Sequence, residues 1–110
     1  MPEENERKNK VANYIKELGA EFLSKENNKT SLITVTSADC SPDLKRATIY
    51  ITVLPTSKER TALEFAKRKR PDFRDFLKKN MATKTIPFLD IEIDKGEKNR
   101  QKIDELLRNG

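Results

Sequence analysis

The sequence predicts an α+β domain in which helical and strand-like segments share one chain. Apolar residues recur every three or four positions in three regions, which is the period of a helix with one buried face. They alternate with polar residues in three other segments, which is the period of a half-buried strand. The predicted order is α-β-β-α-(kink)-α-β with a three-stranded sheet and a short C-terminal helix. A length of 110 residues fits a single domain over residues 1–110.

The first helix is predicted from an apolar stripe that begins after a polar segment. Residues 1–10 are polar and charged, and we expect a loose arm there, with residues 1–6 flexible. The residues that follow at helical spacing are Val11, Tyr14, Ile15, Leu18 and Phe22. The segment KENNKT at residues 25–30 is rich in turn formers and is expected to end the helix.

Two neighbouring segments predict an antiparallel hairpin. In residues 31–39, Ile33 and Val35 fall on one face. In residues 47–54, apolar residues at every second position from Ala47 to Val53 also share one face. Ser41, Pro42 and Asp43 lie between these strands and supply turn chemistry. The hairpin is therefore expected to have one buried and one wet face.

A divided helix and a third strand complete the domain. Thr56 and Glu59 have the spacing of a capping box, which predicts a helix start. Pro71 is expected to kink or split that helix and to begin a second one, which ends near Asn80. Residues 86–94 predict the third strand, and residues 97–108 predict the terminal helix.

Composition excludes several classes of chemistry. The chain has no histidine and one cysteine, Cys40, which excludes an intrachain disulfide, a Cys-cluster zinc site and histidine-dependent catalysis. Cys40 is expected to be a structural or incidental thiol. No apolar run reaches the length of a membrane span, and no signal peptide is present, so a soluble cytoplasmic protein is expected. No cofactor or metal is expected.

The positive charge is concentrated in one segment. Residues 67–84 hold eight Lys and Arg against two Asp, a net charge of +6, whereas the whole chain carries only +5. The eight cations are Lys67, Arg68, Lys69, Arg70, Arg74, Lys78, Lys79 and Lys84. On a continuous or gently kinked helix, Lys67, Arg70, Arg74 and Lys78 share one face, which suits a phosphate backbone. A solvated helix face, or a high growth temperature, would also give many charges.

Other candidate residues lie outside this segment. Arg7, Lys8 and Lys10 form either a basic arm on RNA or a solubilising segment, and Lys45 and Arg46 in the hairpin turn would extend the contact. Ser41 and Asp43 are expected to satisfy turn backbone groups rather than to position RNA. The third strand carries Asp90, Glu92 and Asp94 on one face, which favours a solvated or Lys-paired face over a cation site.

The aromatic residues predict phosphate and shape recognition rather than base stacking. Six of the seven are assigned to the core: Tyr14, Phe22, Phe65, Phe73, Phe76 and Phe88. Tyr50 falls on the polar face of its strand, where it either contacts a ligand or packs under the terminal segment. A sheet that stacks bases needs two or three exposed aromatics.

Five motifs resemble those of the ribosome-binding factor A family, in order over residues 7–107. Residues 41–51, from Ser41 to Ile51, resemble its S-x-D-L-x-x-A-x-V-Y-V signature. The other four are Arg7-x-x-Lys10-Val11-Ala12, Phe73-Arg74-x-x-Leu77, Ile86-Pro87-x-Leu89, and Gly96 with Ile103-x-x-Leu106-Leu107. Where the family has an Ala-x-Gly kink, this chain has Lys69-Arg70-Pro71. Pro71 lacks an amide for phosphate, so basic side chains are expected to replace it.

The resemblance implies a type II KH-like fold and an assembly factor, which we expect to be non-catalytic and monomeric. Its implied partner is 16S rRNA within the free 30S ribosomal subunit, whose late maturation it assists, including during cold adaptation. From the charge distribution, we expect the RNA contacts to be the cations named above, with Pro71 at the kink. Two other classes stay open: a generic KH-type RNA- or DNA-binding module, and a protein-interaction domain with a basic face.

Overall fold

Among the residues that the structure describes, three helices cover one face of a three-stranded sheet. The computed structural model describes residues 2–26, 31–82 and 86–96, so the predicted helix at 97–108 lies outside the described residues. The elements are α1 (Pro2–Glu26), β1 (Leu32–Cys40), β2 (Arg46–Leu54), α2 (Glu59–Arg68), α3 (Arg70–Asn80) and β3 (Phe88–Ile93). This order confirms the predicted α-β-β-α-(kink)-α-β arrangement.

The strand order β1-β2-β3 leaves β3 at an edge of the sheet. β1 and β2 pair antiparallel, whereas β2 and β3 pair parallel, with Arg46 opposite Phe88. A parallel pair needs a long crossover, and α2 and α3 provide it. The hairpin turn and the start of β3 therefore lie at the same end of the sheet.

The core lies between the helices and the inner sheet face. It includes Ile15 of α1, Ile49 and Ile51 of β2, and Phe73 and Leu77 of α3, each at most 2% exposed. The alternation predicted for β2 is confirmed, since Ala47, Ile49, Ile51 and Val53 are all buried. Within the described residues, none of the helices combines the length and apolar character needed to cross a membrane.

A β-bulge at Thr36 changes the face that β1 presents to the core. Val35 pairs with Ile51, but Ser37 pairs with Tyr50, so Thr36 is the extra residue. Odd-numbered Val35 packs against the core before the bulge, whereas even-numbered Cys40 is buried after it. An inserted residue reverses the alternation of side chains, which a strict two-residue period does not anticipate.

Two helix starts differ from the prediction. α1 begins at Pro2, so most of the predicted arm of residues 1–10 is helical. Proline is tolerated in a first helical turn, and Lys8 tethers the early part of α1 through an ion pair with Asp39 at 3.6 Å. The predicted capping box at Thr56 and Glu59 was wrong, because a 3₁₀ turn over Thr56–Lys58 precedes α2. Neither the 3₁₀ turn nor α2 has a side-chain hydrogen bond that caps its start.

Gly19 allows α1 to approach the sheet closely. A Cβ atom at this position would lie 3.1 Å from Cδ1 of Ile49 and 3.4 Å from Cζ of Phe73. The shorter of these contacts is tighter than ordinary van der Waals packing, and both neighbours are buried. The absence of a side chain at Gly19 therefore sets the distance between α1 and the core.

The hairpin turn is held by Ser41 and Asp43, as the sequence predicted. The Ser41 hydroxyl donates to Asp43 Oδ1 at 2.6 Å, and the Lys45 amide donates to the same oxygen at 3.1 Å. The Arg46 amide in turn donates to Ser41 Oγ at 3.0 Å. Leu44 adopts a φ of 61°, in the left-handed region that such a tight turn requires.

Protonation of Asp43 is expected to weaken the turn. The Ser41 hydroxyl, followed by the Lys45 amide, lowers the pKa of Asp43 below its ordinary value. A pKa lowered on folding adds stability above the unfolded-state pKa and loses it as the pH falls through the folded one. We therefore expect urea unfolding to show a smaller loss of stability below about pH 4 in Asp43→Asn than in the wild type. Identical acid profiles would contradict this role.

Candidate nucleic-acid interface

A basic groove lies where α2 meets α3, beside the start of β3. It encloses about 470 Å³. Its lining residues, which define the basic groove below, are Lys67, Arg68, Arg70, Pro71, Arg74, Asp75, Lys78, Phe88 and Leu89. Five cations against one carboxylate among these residues give the groove a strongly positive lining. The four residues that the sequence placed on one helix face, Lys67, Arg70, Arg74 and Lys78, are thus brought together.

The helix break at Lys69 lets residues from both helices line the groove. α2 ends at Arg68 and α3 begins at Arg70, with Pro71 in the first turn of α3. Arg70 bridges the break, because its Nε donates to the backbone oxygen of Lys67 at 3.0 Å. This bond satisfies one of the carbonyls left open at the C-terminus of α2.

Arg70 is partly committed to the protein itself. Its Nη1 lies 3.5 Å from Asp90 Oδ1, which ties the helix break to β3. Arg74 and Lys78, one and two turns further along α3, are exposed. They are the cations of α3 best placed to contact an external phosphate, while Arg70 fixes the shape of the groove.

The N-terminus of α3 is poorly suited to bind an anion through its backbone. Pro71 lacks an amide hydrogen, and Asp72 adds a negative charge to the first turn. Lys69 Nζ lies 3.9 Å from Asp72 Oδ2 and 5.8 Å from the centre of the Phe65 ring. The positive charge beside this helix start comes from the side chains that line the groove and not from the backbone amides of the first turn.

Phe88 lies in the groove and not in the core. Its side chain is 65% exposed, so its assignment to the core was wrong. Leu89 and Ile91 face inward on β3, and the two-residue period places Phe88 on the opposite face. The alternation in the sequence was thus sufficient to find this residue. Tyr14 is also more exposed than predicted, at 42%, with its hydroxyl donating to the Asn80 carbonyl oxygen at 2.8 Å.

The hairpin turn brings Lys45 and Arg46 to the same end of the sheet as the groove. Arg46 pairs with Phe88 in the sheet, and the Phe88 amide donates to the Lys45 oxygen at 2.7 Å. Both cations are exposed. Lys79 is exposed but does not line the groove, and Lys84 lies outside the described residues.

The cations of α1 do not line the groove. Arg7 and Lys10 are exposed on α1, and Lys8 is partly buried against Asp39. The link between Lys8 and the end of β1 places this stretch of α1 near the hairpin end of the sheet. These three residues share that end of the sheet with the groove, but Lys8 is tied to β1, which is the opposite edge of the sheet from β3.

The outer sheet face is acidic around Tyr50. Burial, then the charges of Glu92, Asp39 and Asp94, raise the pKa of Tyr50 above its ordinary value. A site surrounded by carboxylates repels phosphate, so Tyr50 is poorly placed for an RNA contact. Asp94 accepts a hydrogen bond from Thr36, and Asp90 pairs with Arg70.

Cys40 is buried beneath the end of the hairpin. It is 2% exposed, and burial, followed by the charge of Asp39, raises the pKa of its thiol above its ordinary value. A thiol that is buried and protonated is a poor nucleophile. Its position is that of a small apolar residue in the core.

Comparison with known proteins identifies the family. The model of ribosome-binding factor A matches residues 7–107. Ribosome-binding factor A of Rhodopseudomonas palustris (strain HaA2) is 31% identical over 107 residues, covering 93% of this chain and 79% of the relative. The crystal structure of ribosome-binding factor A from Thermus thermophilus has a TM-score of 0.68 at 20% identity, covering 76% of this chain and 92% of that one. A solution NMR structure of a Thermotoga maritima protein has a TM-score of 0.66 at 27% identity, covering 77% and 84%.

These comparisons agree with the motifs and with the element order. The structural likeness to the Thermus thermophilus protein confirms the predicted α+β fold, and the predicted KH-like architecture is consistent with the family. The family match includes the hairpin, the helix break and the whole of β3. The chain therefore belongs to the ribosome-binding factor A family.

Proposed function

We propose that this protein binds the free 30S ribosomal subunit in the cytoplasm and assists late maturation of its 16S rRNA without catalysing a reaction. The observation that supports this most is the basic groove, which gathers Lys67, Arg70, Arg74 and Lys78 of a ribosome-binding factor family member onto one surface. A line of cations on rigid helices suits the regular spacing of RNA phosphates. Lys45 and Arg46, at the same end of the sheet, extend this surface.

The proposed mechanism depends on binding alone. A protein that contacts one rRNA conformer better than others shifts the population toward that conformer, by an amount set by the difference in affinity. A role in cold adaptation follows the same logic, because alternative RNA structures become harder to escape at low temperature. The protein would act as a monomer, with no membrane or small-molecule partner.

The proposal is tested by co-sedimentation of the purified protein with separated small subunits, large subunits and intact ribosomes at several salt concentrations. We expect selective binding to free small subunits that weakens as salt is added. Equal binding to every particle would instead identify a generic RNA-binding module. Absence of binding at low salt would indicate a partner that is not RNA.

Reversing two groove charges is expected to weaken subunit binding at least about tenfold at roughly 0.1 M salt. The variant Arg74→Glu/Lys78→Glu alters only exposed side chains and spares Arg70, which supports the helix break. We also expect a shallower dependence of affinity on salt, since fewer phosphates are neutralised.

A matched control has the same change in net charge at the other end of α2. Lys58→Glu/Arg60→Glu also replaces exposed cations, and the ion pair of Arg60 with Glu64 at 3.3 Å is a surface pair. Circular dichroism would establish that both variants are folded. Equal binding by the two double variants would remove the groove from the RNA interface.

A further inference from the structure

We propose that Phe88 is a stacking platform for an unpaired base of RNA, at the end of a strand whose phosphates the basic groove holds. This inference rests on the proposed RNA-binding function and specifies the ligand as single-stranded rather than duplex RNA. An aromatic residue that is 65% exposed, in a groove that five cations also line, combines the two elements of a single-strand site.

The backbone that carries Phe88 is held firmly. Pro87 and Leu89, its two neighbours, are buried in the core. The Phe88 amide is fixed by its 2.7 Å bond to the Lys45 oxygen, and the residue pairs with Arg46 in the sheet. An exposed ring on an ordered strand end loses little conformational entropy when it binds a flat partner.

The surroundings of Phe88 favour a nucleic acid over an apolar partner. Arg74, Lys78 and Lys67 line the same groove, and exposed Arg46 lies opposite Phe88 on β2. An apolar protein surface docked here would have to desolvate these cations without pairing them. A nucleotide supplies both a flat base for the ring and phosphates for the cations.

Duplex RNA does not satisfy this arrangement. Bases in a helix are already stacked on each other, and side chains reach them poorly through the deep, narrow groove of A-form RNA. A loop, bulge or single-stranded end presents a base that is free to stack on the Phe88 ring. The cations of the groove would bind both single-stranded and duplex RNA, so the preference for single strands comes from the Phe88 ring.

The test uses substitutions at Phe88 and a short unstructured oligoribonucleotide, with a duplex of the same sequence as the second probe. We expect Phe88→Leu to weaken binding of the single strand about tenfold, whereas Phe88→Tyr binds it like the wild type. Neither variant is expected to change the affinity for the duplex. Leu32→Ala is the control, because Leu32 is also exposed on a strand, at 57%, and does not line the groove.

A fluorescence measurement reports on the stacking directly. The chain has no tryptophan, so the indole of a Phe88→Trp variant would be its only one. We expect quenching by the single strand at concentrations where the duplex leaves the emission unchanged. Equal quenching by both probes, or by neither, would overturn the stacking role.

The outcomes separate this inference from the proposed function. If Phe88→Leu binds single strands and small subunits like the wild type while Arg74→Glu/Lys78→Glu does not, stacking is overturned and subunit binding stands. If Phe88→Leu loses small subunits but keeps single strands, Phe88 contacts a protein component and the inference is also wrong. Unchanged subunit binding by the charge variant would instead remove the groove from the RNA interface, whereas absence of subunit binding by the wild type would overturn the proposed function.

Discussion

Replacing Phe73 with alanine is expected to lower the free energy of unfolding by about 3–5 kcal/mol. The ring is 2% exposed and its centre lies 5.0 Å from that of Phe22, so its loss removes contacts between α3 and α1. It also touches the space left open at Gly19. Both contacts join α3 to α1, so the cavity left behind would not close without moving a helix.

Urea unfolding monitored by circular dichroism would measure this loss. Phe73→Leu retains part of the volume and is expected to cost clearly less than Phe73→Ala. Phe76→Ala is the companion on the same helix, because Phe76 is only partly buried and its ring lies 5.7 Å from Phe22. If truncation of Phe76 were as costly as truncation of Phe73, the assignment of Phe73 to the centre of the core would be wrong.

Introducing a leucine at Gly19 is expected to destabilise the protein by about 3 kcal/mol. The first side-chain atom would already lie 3.1 Å from Ile49 Cδ1, and the atoms beyond it would enter the Ile49–Phe73 contact. Both neighbours are buried in the core, so they can give way by a few tenths of an ångström but not by the size of a leucine side chain. Relief would require α1 to lift away from the sheet.

The neighbouring position provides the control for Gly19→Leu. Ala20 is exposed on the same turn of α1, so Ala20→Leu is expected to change stability by less than about 0.5 kcal/mol. In Gly19→Ala, a gain in helix propensity of about 1 kcal/mol opposes the close contact with Ile49, and the net change is expected to be small. A Gly19→Leu variant as stable as Ala20→Leu would show that α1 is not held as closely as described.

Local patterns were sufficient to predict most of the fold. The alternation from Ala47 to Val53 predicted the central strand because each side chain meets only one of two environments, core or solvent. Pro71 predicted the helix break because proline removes a backbone donor wherever it occurs. Such features depend on neighbouring residues and need no knowledge of the rest of the chain.

The errors arose where distant residues decide the structure. The bulge at Thr36 reverses the face of β1, and Thr36 itself donates to Asp94, 58 residues away. The polar start of α1 is helical although it lacks an apolar stripe, with Lys8 paired to Asp39 of β1. The spacing of Thr56 and Glu59 resembled a capping box, but a 3₁₀ turn occupies that segment instead.

The sequence was sufficient to predict which cations belong to the candidate site, but not that they line a groove. Charge counting located the cations of residues 67–84, because their confinement is visible in the sequence. The groove itself depends on β3 pairing with β2, which brings Phe88 to the helix break. The alternation on β3 places Phe88 on the face opposite the buried residues, and this was the one sequence feature that indicated an exposed ring. Because phenylalanine is usually found in cores, Phe88 was assigned to the core instead.

The acidic outer face of the sheet has a consequence for how the protein meets a polyanion. Glu92, Asp39 and Asp94 lie there, whereas the described cations of the groove lie on α2 and α3, beside the start of β3. Opposite charges on separate surfaces give the molecule an electric dipole, and the field of a polyanion exerts a torque on it. This torque orients the protein before contact so that its groove faces the polyanion. A larger fraction of collisions is then productive than for a protein with the same net charge of +5 spread evenly over its surface.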